Sequence, residues 1–162
     1  MLNGGERLIF DDPAHQRHVD VFLDVLRMCH TLDFRRRLTL DAQTLPVADL
    51  LLSKLQIIEM TERDVLDTLA ILRDQPMQLS DDVGISLQRL TEVCGGDWGW
   101  WRTSRATLEK LSARSDDDPL ECRDQILRLR EFLRDAPKSP RWRARAIIGE
   151  HKRWYDLPEE VR

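Results

Sequence analysis

Along the chain, hydrophobic residues first alternate with polar ones and then recur every three or four positions. This change of period separates a β portion from a helical one. Arg7-Leu8-Ile9-Phe10 reads as a short strand, and Asp11-Asp12-Pro13-Ala14-His15 as a turn. In His18–Asp24, Val19, Val21 and Leu23 fall on one face and His18, Asp20 and Phe22 on the other, so the two runs predict a hairpin. Arg37-Leu38-Thr39-Leu40 is a candidate third strand after an irregular stretch around Cys29-His30-Thr31.

From Leu45 onward the spacing is helical. Val47, Leu50, Leu51, Leu55 and Ile58 form one stripe, which Lys54 joins by its stem, and Pro46 fits a first helical turn. Thr61-Glu62-Arg63-Asp64 resembles a capping box and starts a helix carrying Val65, Leu66, Leu69, Ala70 and Leu72. Ser80 with Asp81-Asp82 predicts the next start, and Gly95-Gly96 its stop. Asp97 caps a helix from Trp98 to about Ala113, Asp116-Asp117-Asp118-Pro119 opens another towards Asp135-Ala136-Pro137, and Ser139-Pro140 begins a last one reaching about Tyr155. The predicted class is α+β: a short N-terminal hairpin or partial mixed sheet, then about six helices. The predicted division is an α/β region over 1–78 and a helical region over 79–162.

Composition narrows this picture. A chain of 162 residues with 41% hydrophobic and 33% charged residues can bury a core and is not a disordered tail. The longest apolar stretch, Val47–Ile58, is interrupted by Asp49 and Lys54, so no membrane span is expected. Neither a basic start nor an apolar run follows Met1, so no signal peptide is expected. Cys29, Cys94 and Cys122 are far apart and form no CxxC pair, which suits reduced thiols and a cytoplasmic location. Net charge is −4, yet Lys138, Arg141, Arg143, Arg145, Lys152 and Arg153 crowd the end of the chain, opening a contact with nucleic acid or an acidic partner beside the plainer reading of a solvated basic face.

Several groupings carry candidate chemistry. Lys54 lies on the apolar side of its helix, so it must snorkel, pair with an acid or meet an anion. Asp64 and Asp67 share a helix face on which both can reach it. The two readings are a structural ion pair locking two helices and a phosphate-binding lysine with an acidic partner. His15, His18 and Asp20 form an H-x-x-H-x-D run that could offer metal ligands. Cys29-His30 sets a thiol beside an imidazole, although neighbours on an extended segment point apart. Trp98, Trp100 and Trp101, with Arg102, read either as a packing cluster or as a stacking platform for a nucleotide. No P-loop or Rossmann glycine pattern is present.

The run Leu45-Pro46-x-x-Asp49-Leu50-Leu51-x-x-Lys54-Leu55, then Arg63-Asp64-x-x-Asp67, preceded by the hairpin with Asp20, resembles the nucleotidyltransferase-fold family, distantly including the abortive-infection toxins of the type IV toxin–antitoxin class. The resemblance covers roughly residues 5–75. It implies transfer of a nucleoside monophosphate from an NTP, with Mg²⁺, to a protein or RNA acceptor. Asp20 would be a metal-site carboxylate, Lys54 a phosphate contact, and Asp64 a general base or orienting acid. The family's glycine turn and Asp-x-Asp strand are incomplete here: Gly4-Gly5 is present, but two residues after Asp20 stands Phe22. Asp20 and Asp24 would lie ~13 Å apart on one strand face, too far for one metal ion. The expectation is therefore a chain that begins after its catalytic strand or a non-catalytic member. The alternative is a helical module for protein or nucleic-acid interaction, and an open sheet edge would favour a homo-oligomer.

Overall fold

The computed structural model describes residues 2–3, 7–40, 43–81, 83–114 and 120–157. Strands β1 (Leu2–Asn3), β2 (Arg7–Asp12) and β3 (Arg17–Phe22) form an antiparallel sheet in that order. The expected hairpin is β2–β3, with Leu8 opposite Val21 and Phe10 opposite Val19. Its turn is held by Asp12 Oδ1, which accepts the backbone N–H groups of Ala14 (3.1 Å) and His15 (3.3 Å). Gln16 completes it with a positive φ of 52°. The Gly4-Gly5 turn lies outside the described residues.

A second small hairpin, β4 (Val25–Arg27) with β5 (Thr31–Asp33), occupies the stretch expected to be irregular. The expected strand at Arg37–Leu40 is instead a turn. Arg37 and Leu38 both donate to the Phe34 carbonyl, and Leu40 donates to Arg37, so the backbone bonds locally and pairs with no strand.

Helix α1 (Val47–Leu55) begins on the Pro46 carbonyl, which accepts from Asp49 and Leu50. Helix α2 (Glu62–Asp74) has the expected capping box, Thr61 and Asp64 each bonding the other's backbone N–H. The next helix does not start at Ser80. Two-residue strands β6 (Met77–Gln78) and β7 (Ile85–Ser86) pair in parallel first, and α3 (Leu87–Gly96) starts on Ser86, whose hydroxyl accepts from Arg89. Helix α4 (Trp98–Arg114) is capped by Asp97, which accepts the Trp100 N–H at 3.1 Å. Helix α5 covers Leu120–Asp135; its expected opening at Asp116–Pro119 lies outside the described residues. Helix α6 (Pro140–Ile148), capped by Ser139, is shorter than expected. Gly149, at φ +57°, ends it in a region that glycine enters readily, a 3-10 turn (Gly149–His151) follows, and Tyr155 lies beyond, outside any helix or strand.

The core forms where α1 is enclosed. Leu51, Leu52 and Leu55 are wholly buried together with Leu72 of α2, Ile85, Leu90 of α3, Leu108 and Leu111 of α4, and Ile126 and Leu129 of α5. This single cluster also contains Leu26, Leu32 and Phe34, so it draws from both sides of position 78. The three cysteines are buried and none forms a disulfide. No helix among the described residues is long and apolar enough to cross a membrane.

The N-terminal sheet is different. It leaves an apolar face in solvent, with Phe10 56%, Val19 59% and Val21 37% exposed. Its opposite face carries Arg7, Asp20 and Phe22, of which Phe22 packs against the core.

Candidate functional site

Lys54 stands in the last turn of α1, and the capping box sets the rotation of α2 so that Asp64 and Asp67 face it. Its Nζ donates to Asp64 Oδ1 at 3.1 Å and to Asp67 Oδ2 at 2.8 Å. Asp64 is engaged further: its Oδ2 accepts the Thr61 hydroxyl (2.7 Å) and backbone N–H (3.1 Å). Burial raises the Asp64 carboxyl's pKa, but the bonds from Thr61 and Lys54 outweigh this and hold it below the usual carboxylate range. A base so stabilised takes a proton weakly. Burial opposes the charge on Lys54, and the two aspartates overcome it, raising its pKa above that of a free lysine. The arrangement therefore has the geometry of a charged triad joining two helices.

Asp20 comes from the middle of β3 and pairs across the sheet with Arg7, whose guanidinium donates to Oδ2 at 2.7 Å and stacks over Phe22. Its Oδ1 is shielded from solvent and has no hydrogen-bond partner. The three residues singled out from the sequence, Asp20, Lys54 and Asp64, line one cleft of about 520 Å³ between the sheet and the α1–α2 turn. The rest of its wall is mostly apolar and includes Phe22, Leu23, Leu26, Phe34, Leu45 and Ile57.

The other candidates separate. His15 bonds Asp12 at 2.6 Å, and among the described residues no group of three or more His, Cys, Asp or Glu side chains could hold a metal ion. Cys29 and His30 are both buried, and His30 turns to Thr103, its Nε2 lying 2.8 Å from the Oγ1. Burial drops the His30 pKa to about 4 and raises that of the Cys29 thiol, which is the reverse of an activated nucleophile and base.

The tryptophans act as packing pieces. Trp98 meets Trp154 edge-on with centroids 5.5 Å apart, and Trp101 meets Trp142 at 5.2 Å. The Trp100 indole N–H donates to the Thr31 carbonyl (3.3 Å) and that of Trp101 to Leu133 (3.0 Å), so these rings tie α4 to the β4–β5 hairpin, α5 and α6. The basic end is partly consumed in the same way. Lys138 donates to the Leu133 and Ala136 carbonyls at the end of α5, and Arg145 donates to those of Gly149 and Lys152.

One charged centre escaped the sequence reading. Asp49 is completely buried, with Arg37 Nε 2.6 Å from Oδ2 and Arg89 Nε 2.9 Å from Oδ1. Arg37 also grips both oxygens of Asp81 (2.8 and 2.6 Å), which raises the arginine's pKa and lowers that of the acid. The signal was an acid in the apolar run of α1; the residues that answer it come from the turn after β5 and from the start of α3.

No family model, curated protein or solved structure matches the chain.

Proposed function

We propose that the chain is a non-catalytic interaction module whose binding element is the N-terminal sheet, and that a second copy of the same chain is its partner. The observation that carries this is the exposed apolar face of Phe10, Val19 and Val21 on a sheet whose terminal strand, β3, has no strand on its outer side among the described residues. Opposite residues of antiparallel strands share a face, so a two-fold axis between copies falls on a residue. Centred on Val21, pairing sets Val21 against itself, Asp20 against Phe22 and, just past the end of β3, Val19 against Leu23 and His18 against Asp24, so apolar meets apolar on the exposed face and base meets acid at the ends. Centred on Asp20, it would bring two carboxylates together. Light scattering at micromolar concentration tests the proposal. The expected result is a dimer that Val19→Lys reduces to a folded monomer; a wild-type monomer contradicts it.

A second reading is a nucleotidyltransferase-like protein that binds an NTP with Mg²⁺ and serves a protein or RNA acceptor. The shared cleft of Asp20, Lys54 and Asp64 favours it. Against it stands Lys54, whose charge already meets two aspartates. Calorimetric titration with ATP, GTP and CTP in Mg²⁺ decides: binding lost in Lys54→Ala supports it, and no heat with any nucleotide rejects it.

A further inference from the structure

We infer that the cleft between the N-terminal sheet and the α1–α2 turn is a binding site for a primary amine carrying an apolar tail. Its size, about 520 Å³, lies within the roughly 300–1,000 Å³ of small-molecule sites, and its walls are mostly apolar with three charged groups among them. Those groups fix the sign of the ligand. The lining carries two carboxylates, Asp20 and Asp64, against the single ammonium of Lys54. The residues behind them do not change the balance: Arg7 bonds Asp20, and Asp67 bonds Lys54, which leaves two cations facing three anions.

An anion entering here meets a net negative charge and one unspent donor, the third N–H of Lys54, whose other two go to Asp64 and Asp67. A cation meets carboxylates with acceptor capacity to spare. Asp20 spends one oxygen on Arg7, while the other is shielded and unpartnered, as is the Arg7 Nε of the same pair; a buried acceptor left so costs free energy until a donor arrives. An ammonium supplies three donors, enough to reach Asp20 and still bond Asp64. The tail then covers Phe22, Leu26 and Phe34, removing apolar surface from water. The site does not depend on pairing of the sheet.

Calorimetry and thermal shift on the full chain with octylamine, octanoate and octanol test the inference, since the three probes share a tail and differ in charge. Octylamine is expected to bind saturably and about ten-fold tighter than octanoate or octanol. Asp20→Asn and Asp64→Asn should each weaken it severalfold and leave octanol unchanged. Ser53→Phe, which fills the cleft from α1, should abolish it; circular dichroism confirms folding of each variant. Asp20→Asn keeps the test open should Asp64→Asn lose the α2 cap. Equal affinity for the three probes, tighter binding of octanoate, no saturable binding, or octylamine binding undisturbed in folded Ser53→Phe would each overturn the inference.

Discussion

Removing the Asp49 carboxylate should cost more stability than any other single change of a charged side chain in the protein. Asp49 is fully buried, and the side chains of Arg37 and Arg89 that flank it are each only 12% exposed. Asp49→Ala deletes both ion pairs and leaves two guanidinium groups in a largely dry setting. Breaking a buried pair typically costs about 3–5 kcal/mol, because the remaining charge stays desolvated. Here the loss is softened. Arg37 keeps its two bonds to Asp81, and Arg89 keeps Glu92 at 2.9 Å and the Asp33 carbonyl at 3.3 Å. The lower end, about 3 kcal/mol, is therefore expected. For a chain of this length that amounts to roughly 6–12 °C in Tm. Urea unfolding followed by circular dichroism at 222 nm measures it, with an unchanged slope showing that the native state stays intact. A double-mutant cycle of Asp49→Ala with Arg37→Met should show strong non-additivity, since the second change removes the charge that the first strands. A loss under about 1 kcal/mol, or additive effects, would refute the claim that burial makes this network costly to break.

The remaining predictions concern other parts of the fold. The pKa of His30 is depressed by burial to about 4, against an ordinary value near 6.5, so the unfolded chain binds the extra proton between those values. Its contribution is complete above about pH 6.5 and falls as pH drops towards 4, by about 2–4 kcal/mol; His30→Gln should flatten this segment of a stability–pH curve. Gly95→Ala should destabilise by about 1–3 kcal/mol, because a Cβ there would lie 2.3 Å from the Pro137 carbonyl oxygen. Gly96→Ala, with nothing within 4 Å of the added atom, should instead raise the urea midpoint slightly. Lys54→Met should cost about 1 kcal/mol or less in chemical unfolding, since its side chain and those of both aspartates are partly exposed.

What could be read from the chain depended on how local the controlling interaction is. The β2–β3 hairpin, the Thr61 box, the Asp97 cap and the Ser139-Pro140 start rest on residues within one turn of each other, and all were legible as patterns. The third strand at Arg37–Leu40 failed because alternation in a short run carries no information about Asp49 and Asp81, which draw the Arg37 side chain inward and leave its backbone in a turn. Ser80-Asp81 failed as a helix start for the same reason: Asp81 answers Arg37, and the serine that caps α3 is Ser86. Gly95-Gly96 was legible as a stop signal and α3 does end at Gly96, but the pattern did not show that the Pro137 backbone passes too close to Gly95 for a side chain. At the candidate site, the acid–lysine contact was legible because the i, i+3 pair on α2 faces a lysine on an apolar stripe. The cleft around it was not, since it depends on where the N-terminal sheet docks against α1.

The central claim is that the outer edge of β3 pairs with its copy. Hydrogen exchange of the backbone amides of residues 17–22, followed by mass spectrometry at low and high protein concentration, tests it most directly. The account predicts that protection of these amides rises with concentration and that Val19→Lys abolishes the rise. Exchange at β3 that stays equally fast at every concentration would contradict it.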